Sequence, residues 1–165
     1  MSNSISYDAK PNLESVHMNN GLTSVFVSVL ALAASDLAHT DEQRLWAAWI
    51  ASRDQGIFGG GVVDFDLTQM PWKTVSLEAD KDFWLRAVVA AKQKTGWERL
   101  DYQPREDWVF SSLDGFAVLI QAFEAAHVNP DEKRDWTYDA RPTTLERCPK
   151  HLVYLHAYGC VICND

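Results

Sequence analysis

All three cysteines of the chain and two of its five histidines lie between Cys148 and Cys163. Cys148 and His151 are separated by Pro149 and Lys150, Cys160 and Cys163 by Val161 and Ile162, and residues 152–159 join the two pairs. Thiolate sulfur and imidazole nitrogen are the preferred donors for Zn2+, and two pairs of ligands at this spacing supply the four that a tetrahedral ion takes. A pair with two residues between its ligands wraps an ion by a tight turn. Pro149 fixes φ just after Cys148, and Gly159 frees the backbone just before Cys160. His156 is a rival donor, since Cys148, His156, Cys160 and Cys163 also make four; the repeated two-residue spacing favours His151. Four protein ligands leave no position for water, so a zinc here is structural.

The competing readings of Cys160 and Cys163 are a redox pair and buried, inert thiols. Residues 152–158 are rich in β-formers and long enough to go out and return Cys160 to the metal. In this the stretch resembles a zinc ribbon, with Cys148-Pro149-Lys150-His151 as first knuckle and Gly159-Cys160-Val161-Ile162-Cys163 as second. It departs from that pattern by carrying His151 in place of a cysteine and no Gly or Asn at the ribbon tip. The resemblance implies a short C-terminal β-hairpin and spans residues 148–165 only.

Elsewhere, chemistry-bearing residues are sparse. Gly59-Gly60-Gly61 invites a phosphate-loop reading, but the continuation, Val62-Val63-Asp64-Phe65-Asp66-Leu67, reads as a strand without the following Lys-Ser or Lys-Thr. Asp64 and Asp66 would project to one side of that strand and could hold Mg2+ given a third ligand such as Asp114 or His127; plain solvent exposure is the competing reading. No Gly-x-Ser-x-Gly or His-Glu-x-x-His is present. His17 and His39 each stand alone, and His127 reads as a cation complementing a helix C-terminus. The seven tryptophans read as core, with a partner-binding surface as the alternative.

The elements that must position these residues are mainly helical. A chain of 165 residues reads as one domain, 1–165, large enough to bury roughly 70% of its unfolded surface, so zinc would add to a core and not replace one. Residues 1–21 are polar and interrupted by Pro11 and Asn19-Asn20-Gly21, and read as an irregular arm. The helical body spans 22–129. It begins with a helix over Thr23–Ala38 that is apolar on every face and therefore central and buried. A second helix follows Thr40, with Gln43 completing a capping box, and runs to Gln55-Gly56 with Leu45, Trp46, Trp49 and Ile50 on one face. A third runs from Ser76 to Thr95 with Ala79, Phe83, Trp84, Ala87, Val88 and Ala91 inward and Gly96 as its stop. A fourth opens at Pro104, breaks near Ser111-Ser112 and resumes to His127. Residues 130–147 form a loop that delivers the tail, 148–165. The expected fold is a helical bundle around one buried helix with a zinc-ribbon-like tail.

The net charge of −8 repels nucleic-acid backbone and anionic lipid. Clustered, odd-numbered cysteines speak against a disulfide framework. Val25 to Leu30 followed by Ala31-Leu32-Ala33 resembles a signal-peptide apolar region, but Asp8 and Glu14 precede it against Lys10 alone, and the apolar run falls short of the ~20 residues of a membrane span. The expected compartment is the cytoplasm. Three functions remain: a non-enzymatic zinc-binding protein that docks and regulates another protein, as an immunity or inhibitor protein does; a Mg2+-dependent enzyme using Asp64 and Asp66; and a nucleic-acid accessory protein with Arg147, Lys150, Lys133 and Arg134 in one basic face. The first is preferred, because the chain is acidic and lacks a catalytic constellation.

Overall fold

The computed structural model describes residues 2–130 and 136–165. Four long helices, α1 (Asn20–Leu37), α2 (Asp41–Ala51), α4 (Leu77–Lys92) and α5 (Glu106–Ala122), are joined by a one-turn α3 (Gln55–Phe58). Three strands, β1 (Ser2–Ser6), β2 (Val16–Asn19) and β3 (Phe65–Asp66), form a small mixed sheet.

α1 is the central helix that its uniformly apolar sequence predicts. Every residue from Phe26 to Ser35 is buried, and α2, α4 and α5 all pack against it. By length and hydropathy alone, 18 residues at a mean of 1.4, it would suit a membrane span, longer than the apolar run suggested; 61% of it is buried inside this molecule. Asn19 caps it by accepting from the Leu22 amide at 2.8 Å. Thr40 caps α2 in the same way through the Gln43 amide, while the Gln43 side chain reaches back to the His39 amide. α2 stops at Ala51, earlier than expected, because Asp54 caps the separate turn α3.

On α4 the inward stripe is Leu77, Asp80, Phe83, Trp84, Ala87, Val88 and Ala91; the expected Ala79 is exposed and Asp80 takes the inward place. Burial raises the pKa of Asp80 against the opposing hydrogen bonds from Ser76 and Trp46. The helix ends before Gly96. Lys94 adopts the left-handed conformation, and the Thr95 and Lys94 amides donate to the Ala90 and Ala91 carbonyls, both at 3.0 Å, closing a Schellman motif. α5 is unbroken through Ser111 and Ser112, with the Ser112 hydroxyl turned back to the Trp108 carbonyl at 3.3 Å.

Residues 1–21 are not an irregular arm where described. β1 pairs antiparallel with β2 and parallel with β3, in registers that place Asn3 opposite Met18 and Ile5 opposite both Val16 and Phe65. The polar composition hid the strands because Asn3 occupies a fully buried position. Its amide nitrogen lies 3.0 Å from both Asn20 Oδ1 and Thr23 Oγ1, and its oxygen accepts from the Gly61 amide at 2.6 Å. The buried polar side chain is satisfied and ties the sheet to α1 and to the glycine run.

The tryptophan core is centred on Trp46, whose ring lies 4.9 Å from Trp72, 5.5 Å from Trp84 and 6.0 Å from Trp49. These four are buried, as the core reading expects; Trp108 on α5 is half exposed.

Candidate metal centre

The tail folds as two similar turns. In the first, Cys148 Sγ accepts the His151 amide at 3.4 Å and the Cys148 carbonyl accepts the Leu152 amide at 2.8 Å. In the second, Cys160 Sγ accepts the Cys163 amide at 3.4 Å and the Cys160 carbonyl accepts the Asn164 amide at 3.0 Å. Each is a knuckle in which the amide of the second ligand is turned onto the sulfur of the first. Leu152 completes the first in the left-handed region (φ 58°), and Gly159 enters the second at φ 112°. The positive φ explains the glycine; at Leu152 the same freedom comes at a steric cost.

These turns bring Cys148, His151, Cys160 and Cys163 together, with all four ligand atoms within 4.8 Å of one another. His151 Nδ1 lies 3.8 Å from Cys148 Sγ, 3.6 Å from Cys160 Sγ and 3.3 Å from Cys163 Sγ, and the Cys148 and Cys163 sulfurs are 3.8 Å apart. A tetrahedral zinc with bonds of ~2.3 Å to sulfur and ~2.0 Å to nitrogen separates its ligands by about 3.8 Å (S to S) and 3.5 Å (S to N). The donor set therefore fits zinc in type, number and spacing. No disulfide joins these sulfurs, and all three cysteines are free. Cys148, His151 and Cys160 are buried, while Cys163 lies at the exposed rim.

The electrostatics point the same way. Three thiols this close cannot all ionise without a cation among them. Burial, reinforced by repulsion from Cys148, pushes Cys160 up to about 12 and raises Cys163 as well. Cys148 is the one held low, because amides from His151 and Lys150 outweigh its burial. Burial, with Lys150 and Arg99 nearby, lowers the pKa of His151 and so favours the neutral imidazole, the form that ligates. A divalent cation would replace the missing positive charge and hold the thiols as thiolates.

His156, the rival ligand, is fully engaged elsewhere. Its Nε2 lies 2.9 Å from Asp54 Oδ2, and its Nδ1 accepts the Tyr158 amide at 3.2 Å. An acceptor Nδ1 places the proton on Nε2, so a neutral ring donates to Asp54. Asp54 also accepts from Asn164 Nδ2 at 2.8 Å and from the Gly56 amide at 2.8 Å. This buried network fixes the tail to the α2–α3 junction.

The resemblance to a zinc ribbon extends to the knuckles but not to a hairpin. Residues 147 and 154, and 156 and 159, form isolated bridges only. Val153 and Tyr154 are both buried, which breaks the alternation a ribbon strand requires, and the Tyr154 amide donates to Ser35 Oγ on α1 at 3.0 Å. Asp36 of α1 takes both arginines next to the site: Arg99 Nη2 at 2.5 Å and Arg147 Nη2 at 2.9 Å. Arg99 also donates to the His151 carbonyl at 3.0 Å. Arg99 and Arg147 thus pin the first knuckle to α1. The sequence carried no signal for Asp36, Asp54 or Arg99, which act from far away along the chain.

The other chemistry-bearing residues are employed structurally. Asp64 accepts from the Ser4 amide and hydroxyl. Asp66 accepts from the Asp8 amide at 2.6 Å, from the Thr68 amide and hydroxyl at 2.9 and 2.7 Å, and from Ser6 Oγ at 3.3 Å. Asp114 pairs with Lys92 at 2.6 Å, and His127, in the turn after α5, pairs with the Tyr7 hydroxyl at 2.5 Å. Only Phe65 and Asp66 of the expected strand pair in the sheet. No long helix follows Gly59–Gly61, whose last amide is taken by Asn3. Lys133 and Arg134 lie outside the described residues. The chain matches no family model, no curated protein and no solved structure.

Proposed function

We propose that this is a non-enzymatic zinc-binding domain that works in the reducing cytoplasm by docking a basic partner protein, in the manner of an immunity or inhibitor protein. Cys148, His151, Cys160 and Cys163 hold the ion, and its role is to fasten the tail to α1. Support for a structural role comes from the closed donor set, which leaves no coordination position for a substrate.

The observation that carries the docking reading is Trp108. It is 49% exposed at the start of α5, with the Arg105 guanidinium 4.2 Å above its ring. Trp and Arg are the residue types most enriched at the energetic centres of interfaces. The net charge of −8 favours a positively charged partner and speeds its approach. The Mg2+ reading has less support, since Asp64 and Asp66 are engaged as backbone and hydroxyl acceptors.

Two measurements test this reading. Elemental analysis of the natively purified chain should give one zinc per molecule, and Cys148→Ser should lose most of it. A partner captured from the source organism by the native chain should be lost with Trp108→Ala while that variant melts as the native protein does. A chain without metal, or a partner indifferent to Trp108, would overturn the corresponding half.

A further inference from the structure

We propose that Cys163 is a modification site for hydroperoxides, through which the tail exchanges its zinc for a disulfide between Cys163 and Cys148. This rests on the zinc reading above and adds a chemical route by which the ion leaves.

One sulfur of the cluster faces solvent. Cys148 is 4% exposed and Cys160 5%, whereas Cys163 stands at the open rim, so a small polar oxidant meets Cys163 first. The same sulfur is the least restrained by hydrogen bonds. Cys148 Sγ accepts the His151 amide and Cys160 Sγ the Cys163 amide, both at 3.4 Å. Among the described residues no backbone amide donates to Cys163 Sγ, which meets Cys148 Sγ at 3.8 Å and His151 Nδ1 at 3.3 Å. An N–H donor draws electron density from a thiolate, so the sulfur without one is the better nucleophile, and exposure together with thiolate character decides which cysteine is oxidised.

The chemistry takes two steps. The Cys163 sulfur attacks the outer oxygen of the hydroperoxide, the O–O bond breaks, and its electron pair leaves as alkoxide or hydroxide, which takes a proton from water. Cys163 is left as a sulfenic acid. The Cys148 thiolate then attacks the Cys163 sulfur, the S–S bond forms, and the S–O electron pair departs as hydroxide and is protonated to water. Two thiolates have lost two electrons and the hydroperoxide has gained them. His151 and Cys160 remain, two donors where a structural zinc takes four, and the ion leaves.

Cys160 is the other partner open to Cys163. Its sulfur is held on the Cys163 amide, so joining it to the Cys163 sulfur would disturb the hydrogen bond that shapes the second knuckle. A bond to Cys148 breaks no such contact. It also spans the two knuckles, so the oxidised tail stays closed without metal.

The test uses the full chain and hydrogen peroxide. Zinc content measured before the oxidant checks the metal reading by itself: a chain without zinc overturns that reading, and this proposal with it. From the loaded chain, peroxide should release the zinc, followed with a metallochromic dye, as one disulfide forms; a thiol reductant with added zinc should restore the starting state. Cleavage after Arg147 and Lys150 puts Cys148 on one peptide and Cys160 with Cys163 on another. Mass spectrometry should find the two peptides joined through Cys163, with Cys160 free to alkylate. A cyclic dione that traps sulfenic acids should label Cys163. Cys163→His keeps a fourth donor and removes the rim sulfur, and should slow zinc release by roughly tenfold or more. Should that variant not hold zinc, the dione adduct and the peptide map of the native chain decide. Zinc retained under peroxide, a bond confined to Cys160 and Cys163, or a dione adduct on Cys148 or Cys160 would each overturn the proposal while leaving the zinc reading intact.

Discussion

His151 and His156 are five residues apart, and their partners separate them: three sulfurs around one, a buried carboxylate beside the other. Substituting each with alanine should therefore have opposite signatures. His151→Ala should lower zinc content and raise the rate of metal loss to a chelator. His156→Ala should keep one zinc per chain but lose about 2–3 kcal/mol of stability, because Asp54 is left buried without its charge-assisted partner. Denaturant unfolding with parallel elemental analysis distinguishes the two. Equal metal loss in both would contradict the assignment of His151 as ligand.

At the scale of elements, the N-terminal sheet and the α2–α3 junction are held by side-chain acceptors, and each has a measurable dependence. Asp66 joins β3 to the residues after β1. Its burial opposes ionisation, but hydrogen bonds from Thr68, Asp8 and Ser6 outweigh that and hold its pKa below the usual carboxylate range. A depressed folded-state pKa means that the stabilisation is fully present above the unfolded value, ~3.9, and is lost as pH falls through the folded one. Asp66→Asn should accordingly be less stable near neutrality, with a flatter acid limb below about pH 4, as read from melting temperature against pH. At the junction, a Cβ on Gly56 would lie 2.3 Å from the Asn164 carbonyl oxygen. Backbone atoms form the obstacle, so Gly56→Ala should push the tail away from Asp54 at a cost of about 1–3 kcal/mol and hasten zinc loss.

For the molecule as a whole, the helical core and the candidate metal centre are expected to be separable in energy though joined in space. On the proposed reading, the tryptophan cluster and α1 bury their surface without the ion, whereas the tail would need it to hold three thiolates and an imidazole together. Chelation should thus lower the melting temperature and expose amides of residues 147–165 to hydrogen exchange while leaving most of the helical circular dichroism intact. Collapse of the helical signal on chelation would show instead that the core cannot stand without the metal.

The sequence by itself determined the ligand types and their spacing, because a knuckle is a local turn that short-range residues specify. It also determined α1 and α2, since ten consecutive buried positions and a Thr40 to Gln43 cap are written in adjacent residues. Tertiary structure alone decided the rest. Whether His151 or His156 joins the three cysteines turns on Asp54, a hundred residues earlier; whether the tail forms a ribbon turns on Ser35 and Asp36, which take the hydrogen bonds and charges a hairpin would have kept to itself. β1 and β2 were hidden for the same reason. Asn3 and Ser4 look like loop residues until Thr23, Gly61 and Asp64 arrive to satisfy them, and a partner supplied by a distant part of the chain leaves no mark in local composition.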